Sequence, residues 1–348
     1  MEVTMLLKET IIDLCGLAAP SGFEEKAFSR IKELLSPYVD EIKTDALGNL
    51  IAVKKCGKSS AKRLMFNAHM DEIGMIITGI EKGFLRFSNI GGIDPRMLPA
   101  REIKILTDPP IFGVIDTMPP HALSNDEMDK AIDAKKLFID VGLSDDDAKK
   151  RIPLGTAAVF AGGVDELNES VICGKALDDR ACVSIVIKIM EELVEKDLNV
   201  DVYCLISTQE EVGSRGAISG TYGIDPDYAV AIDVTHAATP DSKKGETLDM
   251  RKGAAIGVGP NMNRNITNAL IALAEEKNIP HQLEVMSGSS GTDGWVIQVC
   301  REGVSTAVVS LPIKYMHSPV ETMDISDAEA IVSLLREFTL ELGEEGLA

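Results

Sequence analysis

Two adjacent acids, Glu210 and Glu211, follow an apolar run from Val200 to Ile206 and precede the Gly-rich turn Val212-Gly213-Ser214-Arg215-Gly216. An apolar run of that length reads as a buried strand, which puts the acids at the C-terminal edge of a sheet. Open α/β folds keep their ligands there. Side-by-side carboxylates near a buried strand end repel unless a proton or a cation compensates them. One of the pair can ligate a metal while the other acts as general base in a hydrolysis. Taken alone, a Glu-Glu pair is more often a solvated charged turn.

Other segments change that balance: Ala68-His69-Met70-Asp71, Leu177-Asp178-Asp179-Arg180, Ile232-Asp233-Val234 and Tyr315-Met316-His317-Ser318-Pro319. Each has an ordinary reading. His69 can be a hydrogen-bonded core histidine, Asp178-Asp179 a helix cap, Asp233 a strand end and His317 a turn residue before Pro319. All of these would have to be ordinary at once, and each segment lies at a predicted strand end or turn. Two neutral imidazoles with three carboxylates are also a sensible set for a pair of divalent ions, one carboxylate bridging the two.

The elements that must position these groups are legible in part. Apolar residues at helical spacing (Leu7, Ile11, Leu14) predict a helix over 4–18, and Phe28, Ile31, Leu34 and Leu35 a second, ended by Pro37. Strands are expected over 50–53 and 63–68, the latter delivering His69. The next hundred residues change character. Short β-rich runs at 74–80, 84–88, 103–106, 111–115 and 137–140 are separated by Gly and Pro clusters such as Gly91-Gly92, with a short helix capped by Ser144. That pattern predicts a small β-barrel or sandwich inserted into an α/β domain.

Strong α/β alternation returns near residue 170. A long helix, 179–195, turns Val183, Val186, Ile187, Met190 and Val194 inward. Strands follow at 200–206, 228–232, 254–258, 281–285 and 304–311, with helices over 264–277 and around Trp295 and Val299. Ser326-Asp327-Ala328-Glu329 reads as a capping box opening the last helix. The expected fold class is therefore α/β: a mixed-sheet α/β/α domain from 1–70 and 166–348, with a β-rich insert over 71–165.

Composition excludes some partners. Against 35 Lys and Arg stand 55 Asp and Glu, a formal charge of −20, which argues against nucleic acid or an anionic membrane as partner. No apolar segment approaches the ~20 residues of a membrane span. The N-terminal stretch carries acids within its apolar run and reads as helix rather than signal peptide. Six scattered cysteines, the nearest pair nine apart, fit reduced and mostly buried thiols, with Cys173, Cys182 and Cys204 in apolar surroundings. A cytoplasmic protein is expected.

The segments AHMDEIG, GKALDDR, EEVGSRGA, DVTHA, SGTDG and KYMHSPVE occur in this order along the chain. Together they resemble the glutamyl/deblocking aminopeptidases of metallopeptidase family forty-two, over essentially the whole length. The resemblance implies a dinuclear, metal-dependent aminopeptidase acting on peptides with a free N-terminus, by metal-activated water and a Glu general base. It implies Asp178 as the bridging carboxylate, His69 and Asp233 on one metal, and Glu211 and His317 on the other. Glu210 would be the base and Asp71 the carboxylate that orients His69. Two divalent ions per subunit, zinc before cobalt or manganese, are implied. The insert would be a dimerisation domain, and the dimers would assemble into a tetrahedral dodecamer.

Two positions depart from the family's motifs as expected: Ala68 stands where Gly is usual before the histidine, and Cys182 where Gly is common. Neither is an assigned ligand. His236 is expected in the pocket or in a structural role, and His121, in the insert, in a structural one. The loop 286–293 is either a connector or a source of backbone donors near the substrate. Among rivals, a serine hydrolase lacks the GxSxG elbow. A glycoside hydrolase also uses paired acids, but one Trp and 4% aromatics are a poor supply of sugar platforms. A metal-dependent deacylase or carboxypeptidase would share the ligand set, and a non-catalytic metal-binding particle would have no use for Glu210. The residue types do not choose the first side chain of the substrate.

Overall fold

The computed structural model describes residues 5–116, 121, 134–243, 245–343 and 346–347. Its main sheet has eight strands in the order β1-β2-β12-β3-β13-β16-β14-β15. In chain order these are β1 (Glu41–Thr44), β2 (Leu50–Lys54), β3 (Arg63–His69), β12 (Asp201–Ser207), β13 (Tyr228–His236), β14 (Ala254–Val258), β15 (His281–Val285) and β16 (Ser305–Ile313). The central four, β12, β3, β13 and β16, are mutually parallel. β14 runs antiparallel to β16, and β15 parallels β14.

Alternation along these strands feeds two cores. Leu64, Phe66, Val202, Cys204, Ile206, Val230, Ile232, Val309 and Leu311 face the larger core. The helices Leu7–Cys15 (α1), Glu25–Leu35 (α2), Leu177–Leu193 (α4), Arg264–Glu276 (α6) and Ile325–Glu341 (α8) pack there. Met65, Leu205, Ala229, Ala231 and Val308 face a smaller core on the opposite side, under Arg215–Ile224 (α5) and the single turn Gly294–Ile297 (α7). Both faces of a central parallel sheet are covered, so its strands read as continuous apolar runs. The α/β/α expectation is met.

The inserted block forms a closed barrel in the order β4-β5-β8-β7-β6-β9. Its strands are β4 (Gly74–Glu81), β5 (Phe84–Ile90), β6 (Glu102–Ile105), β7 (Ile111–Asp116), β8 (Phe138–Asp140) and β9 (Ala157–Phe160). They close around Met75, Ile77, Leu85, Ile103, Ile105, Ile139 and Phe160. The helix Asp145–Arg151 (α3) between β8 and β9 is capped by Ser144, whose Oγ accepts from the Asp147 N–H at 3.2 Å. A three-stranded sheet, β10 (Val164–Glu166), β11 (Val171–Gly174) and β17 (Glu321–Asp324), links the barrel's exit to α4 and α8.

Several local expectations are corrected. α4 ends at Leu193, so Val194 points outward and is 41% exposed. Val299 lies beyond the single turn of α7 and is 72% exposed. The last helix is capped by Asp324, which accepts from the Ser326 N–H at 3.0 Å, and not by Ser326. Cys173 is only half-buried.

Candidate metal centre

The parallel strands stop together at one edge of the sheet. His69, the last residue of β3, is in register with Ser207, the last of β12, and Asp233 of β13 is in register with Ser310 of β16. These residues continue the rows that lower down carry Met65, Leu205, Ala231 and Val308. On that face the apolar core therefore gives way near the strand ends to Asn67, Ser207, Asp233 and Ser310. Glu210 and Glu211 follow β12, His317 follows β16, and Asp178 opens α4 from beside the sheet. The Asp178-Asp179 peptide is cis.

The sequence-predicted groups converge. His69 Nε2 lies 3.1 Å from Asp178 Oδ1 and 4.0 Å from Asp233 Oδ1. His317 Nε2 lies 3.3 Å from the other Asp178 oxygen, Oδ2, and 3.4 Å from Glu211 Oε1. Each histidine is held through its far nitrogen by a carbonyl. His317 Nδ1 is 2.8 Å from the Gly92 oxygen and His69 Nδ1 is 3.2 Å from the Asp71 oxygen. With Nδ1 committed to a carbonyl, each Nε2 faces the carboxylates: it donates to Asp178 while the ring is protonated, and once that proton leaves it offers the lone pair a metal ligand needs. The Asp71 side chain accepts from the N–H groups of Glu210 and Glu211 at 3.1 and 3.2 Å and from Ser21 Oγ at 2.6 Å. It thereby fixes the turn that carries both acids, with Oδ1 3.5 Å from His69 Nδ1.

The electrostatics describe a site with too much negative charge. Burial pushes the Glu210 carboxyl up to about 7 and the Glu211 carboxyl up to about 8, with the Asp178 charge adding to both. Burial, with Asp179 next to it, likewise raises Asp233 well above the carboxylate range. Burial would also raise Asp178, but hydrogen bonds from His317 and His69 reverse this and hold it far below that range. Burial would lower His69, and the Asp178 and Asp71 carboxylates raise it well above its ordinary value instead. The hydrogen bond to Asp178 carries His317 up to about 9. Protons thus stand where cations would serve.

The donor set fits divalent metal. Ligand atoms of His69, Asp178 and Glu211 lie within 4.8 Å of one another, as do those of His69, Asp179 and Asp233. Asp179 Oδ1 is buried with no hydrogen-bond partner, a costly state for a carboxylate that a cation or proton would relieve.

Some contributors escaped the sequence reading. Glu321 is buried, and its two oxygens accept from the backbone N–H groups of Asp178 at 3.1 Å and His317 at 2.9 Å. It clamps two of the predicted ligands from behind. Asp293 is buried and accepts from Ser207 Oγ at 2.5 Å and Asn67 Nδ2 at 3.2 Å, which ties the 286–293 loop to the strand ends. Asp179, Asp293 and Glu321 all stand inside segments that the sequence singled out (GKALDDR, SGTDG, KYMHSPVE), and that was the available signal. Loop residues Ser290, Gly291 and Thr292 line a cleft of about 430 Å³ over the site, with His236 exposed at its side. His121 is exposed on the inserted block.

Residues 48–334 match the family model described as M42 glutamyl aminopeptidase. The chain belongs to that family. It is accordingly a hydrolase of the peptidase class, and the family is in general metal-dependent. This M42 chain is 36% identical over 343 residues to the lysyl aminopeptidase of Pyrococcus furiosus, covering 97% of this chain and 96% of that protein. An aminopeptidase from the archaeon Desulfurococcus kamchatkensis superposes with a TM-score of 0.90 at 37% identity, over 97% of this chain and 96% of that one. The TET1 peptidase of Pyrococcus horikoshii, which can assemble into a tetrahedron or a large octahedral shell, gives 0.86 at 33% identity, over 97% and 100%.

Proposed function

We propose that this M42 chain removes N-terminal residues from peptides, using two divalent cations with zinc first among them. His69 and Asp233 would hold one, Glu211 and His317 the other, and Asp178 would bridge. The observation that carries this reading is the division of Asp178, one oxygen toward each histidine. When bound, such ions lower the pKa of water and polarise a carbonyl.

The chain's own groups do the rest. Glu210, with its carboxyl raised to about 7 by burial, is suited to take a proton near neutral pH and to return it to the leaving amine. Ser214 Oγ donates to Glu210 Oε1 at 3.3 Å, and Asp71 anchors its backbone. Asp71 also orients His69. Glu210→Gln should lower kcat by roughly 10²- to 10⁴-fold while the metal content measured by elemental analysis stays unchanged. Full activity in that variant would remove Glu210 as the base.

Residues 1–70 and 166–348 would form the catalytic unit and 71–165 a dimerisation unit. A homo-oligomer, up to a tetrahedral dodecamer, is the quaternary state suggested by the assemblies named for the TET1 peptidase. A cytoplasmic location fits the six free cysteines. No helix among the described residues is long and apolar enough to cross a membrane.

A further inference from the structure

We propose that Glu284 makes this cleft selective for peptides whose first residue carries a cationic side chain, lysine or arginine. This rests on the aminopeptidase reading and adds to it the chemistry of the side chain that is accepted.

Glu284 stands on β15, paired with Gly257 of β14. From β15 the Glu284 carboxylate reaches across β14 toward the centre of the sheet. There it accepts from Ser310 Oγ at 2.7 Å and, through its other oxygen, from Thr235 Oγ1. Both partners belong to the candidate metal centre's own face. Ser310 is in register with Asp233, and Thr235 stands two residues after Asp233 on the same strand. Two residues along a strand is one full repeat, so Asp233 and Thr235 project to the same side. Glu284 is half-buried and lines the same cleft as Asp178, Glu210, Glu211 and Asp233.

Charge decides what such a group does. The charged lining of the cleft consists of these carboxylates and histidines, with no Lys or Arg among the described lining residues. The proposed metal ligands are His69, Asp178, Glu211, Asp233 and His317, and Glu284 is not among them. Its partners are neutral hydroxyls, which fix its direction without cancelling its charge. A carboxylate offers about four lone-pair sites, and these two bonds occupy one on each oxygen. The remaining sites, in a partly desolvated wall, suit an ammonium or guanidinium. An acidic first residue would meet repulsion at the same place. The competing role is a brace that ties the edge strand β15 to β13 and β16. A glutamine could make that brace without the cost of burying a charge.

The test uses the metal-loaded full chain and the p-nitroanilides of Lys, Arg, Leu and Glu. Lys and Arg should exceed Leu in kcat/KM, and Glu should be slowest. In Glu284→Gln the Lys-to-Leu ratio should fall at least about ten-fold, and Glu284→Asp should retain part of it. Leu preferred over Lys, or a ratio unchanged in Glu284→Gln, would overturn the inference and leave the aminopeptidase reading standing. Cleavage of no substrate under zinc, cobalt or manganese would overturn both. Calorimetric binding of L-lysinol against L-norleucinol, which carry no amide bond to hydrolyse, to the unmutated protein gives an answer independent of the variants' folding. Tighter lysinol supports the ammonium contact, and equal affinity sinks it.

Discussion

At the scale of single residues, the candidate centre is a contest between protons and cations. With Glu211 raised to about 8 and His317 to about 9, both groups carry a proton at pH 7 in the metal-free protein. A metal needs both in their deprotonated forms, so binding must expel those protons, and affinity must rise as pH rises. Titration calorimetry of zinc into the metal-free protein, repeated in buffers of different ionisation enthalpy, should give a net release above about one proton per chain at pH 7. Zero release would remove Glu211 and His317 as ligands. The types of these side chains were legible in the sequence because His69, Asp178, Glu211, Asp233 and His317 follow apolar runs or turns. Glu321 was not, although it contacts the backbone of both Asp178 and His317. Its role depends on β17 lying beside β11, where Glu321 pairs with Gly174. Its place in KYMHSPVE marked the segment, but the four residues of β17 carry no local pattern that announces such a pairing.

At the scale of elements, the site is held in place by a buried ionic knot at the exit of β3. Glu72 accepts from Lys175 Nζ at 2.7 Å and from Arg180 at 3.0 Å, and all three side chains are almost fully buried. Arg180 also donates to the carbonyls of Leu14, Leu17, Ala19 and Met70, which ties the end of α1 to α4 and to the His69 segment. Burial alone would raise the Glu72 carboxyl, but Lys175 and Arg180 reverse this and hold it below the ordinary range. The stability it contributes is therefore full above the unfolded pKa of about 4.3 and is lost as pH falls through the lower folded value. Glu72→Ala strands two buried cations and should cost about 3–5 kcal/mol in urea unfolding. A loss under about 1 kcal/mol would mean that the knot behaves like a surface pair.

The continuous apolar runs that became β3, β12, β13 and β16 were readable because both of their faces are covered. Glu41–Thr44, Ala157–Phe160, Val164–Glu166, Val171–Gly174 and Glu321–Asp324 were missed because three or four residues cannot display a period. The cap of the last helix was misplaced for a similar reason. Asp324 and Ser326 are both good caps, and only the position where β17 ends decides between them.

At the scale of the whole molecule, the barrel is more than an appendage. Its Gly91-Gly92 turn reaches the candidate metal centre: a Cβ on Gly91 would lie 3.0 Å from Glu211 Oε2, and one on Gly92 3.1 Å from His317 Nδ1. Whatever fixes the barrel also fixes the tautomer of His317, through the Gly92 carbonyl. Self-association of the kind proposed would therefore act on the site as well as on size. Assembly has to overcome the chain's own charge, −20 per copy, before any contact can form. Like-charged copies repel over a Debye length of about 30 Å at 0.01 M salt but only about 8 Å at 0.15 M. The proposed oligomer should therefore be favoured by moderate salt and loosened by its removal, the opposite of an assembly held by complementary surface charges. Light scattering at 0.15 M salt should give a mass several times the 37.5 kDa chain, up to twelve times, and a smaller mean mass near 0.01 M. A mass of 37.5 kDa at every salt concentration would reject the oligomer. A mass that rises as salt is removed would show that charge complementarity, and not burial of apolar surface, holds the copies together.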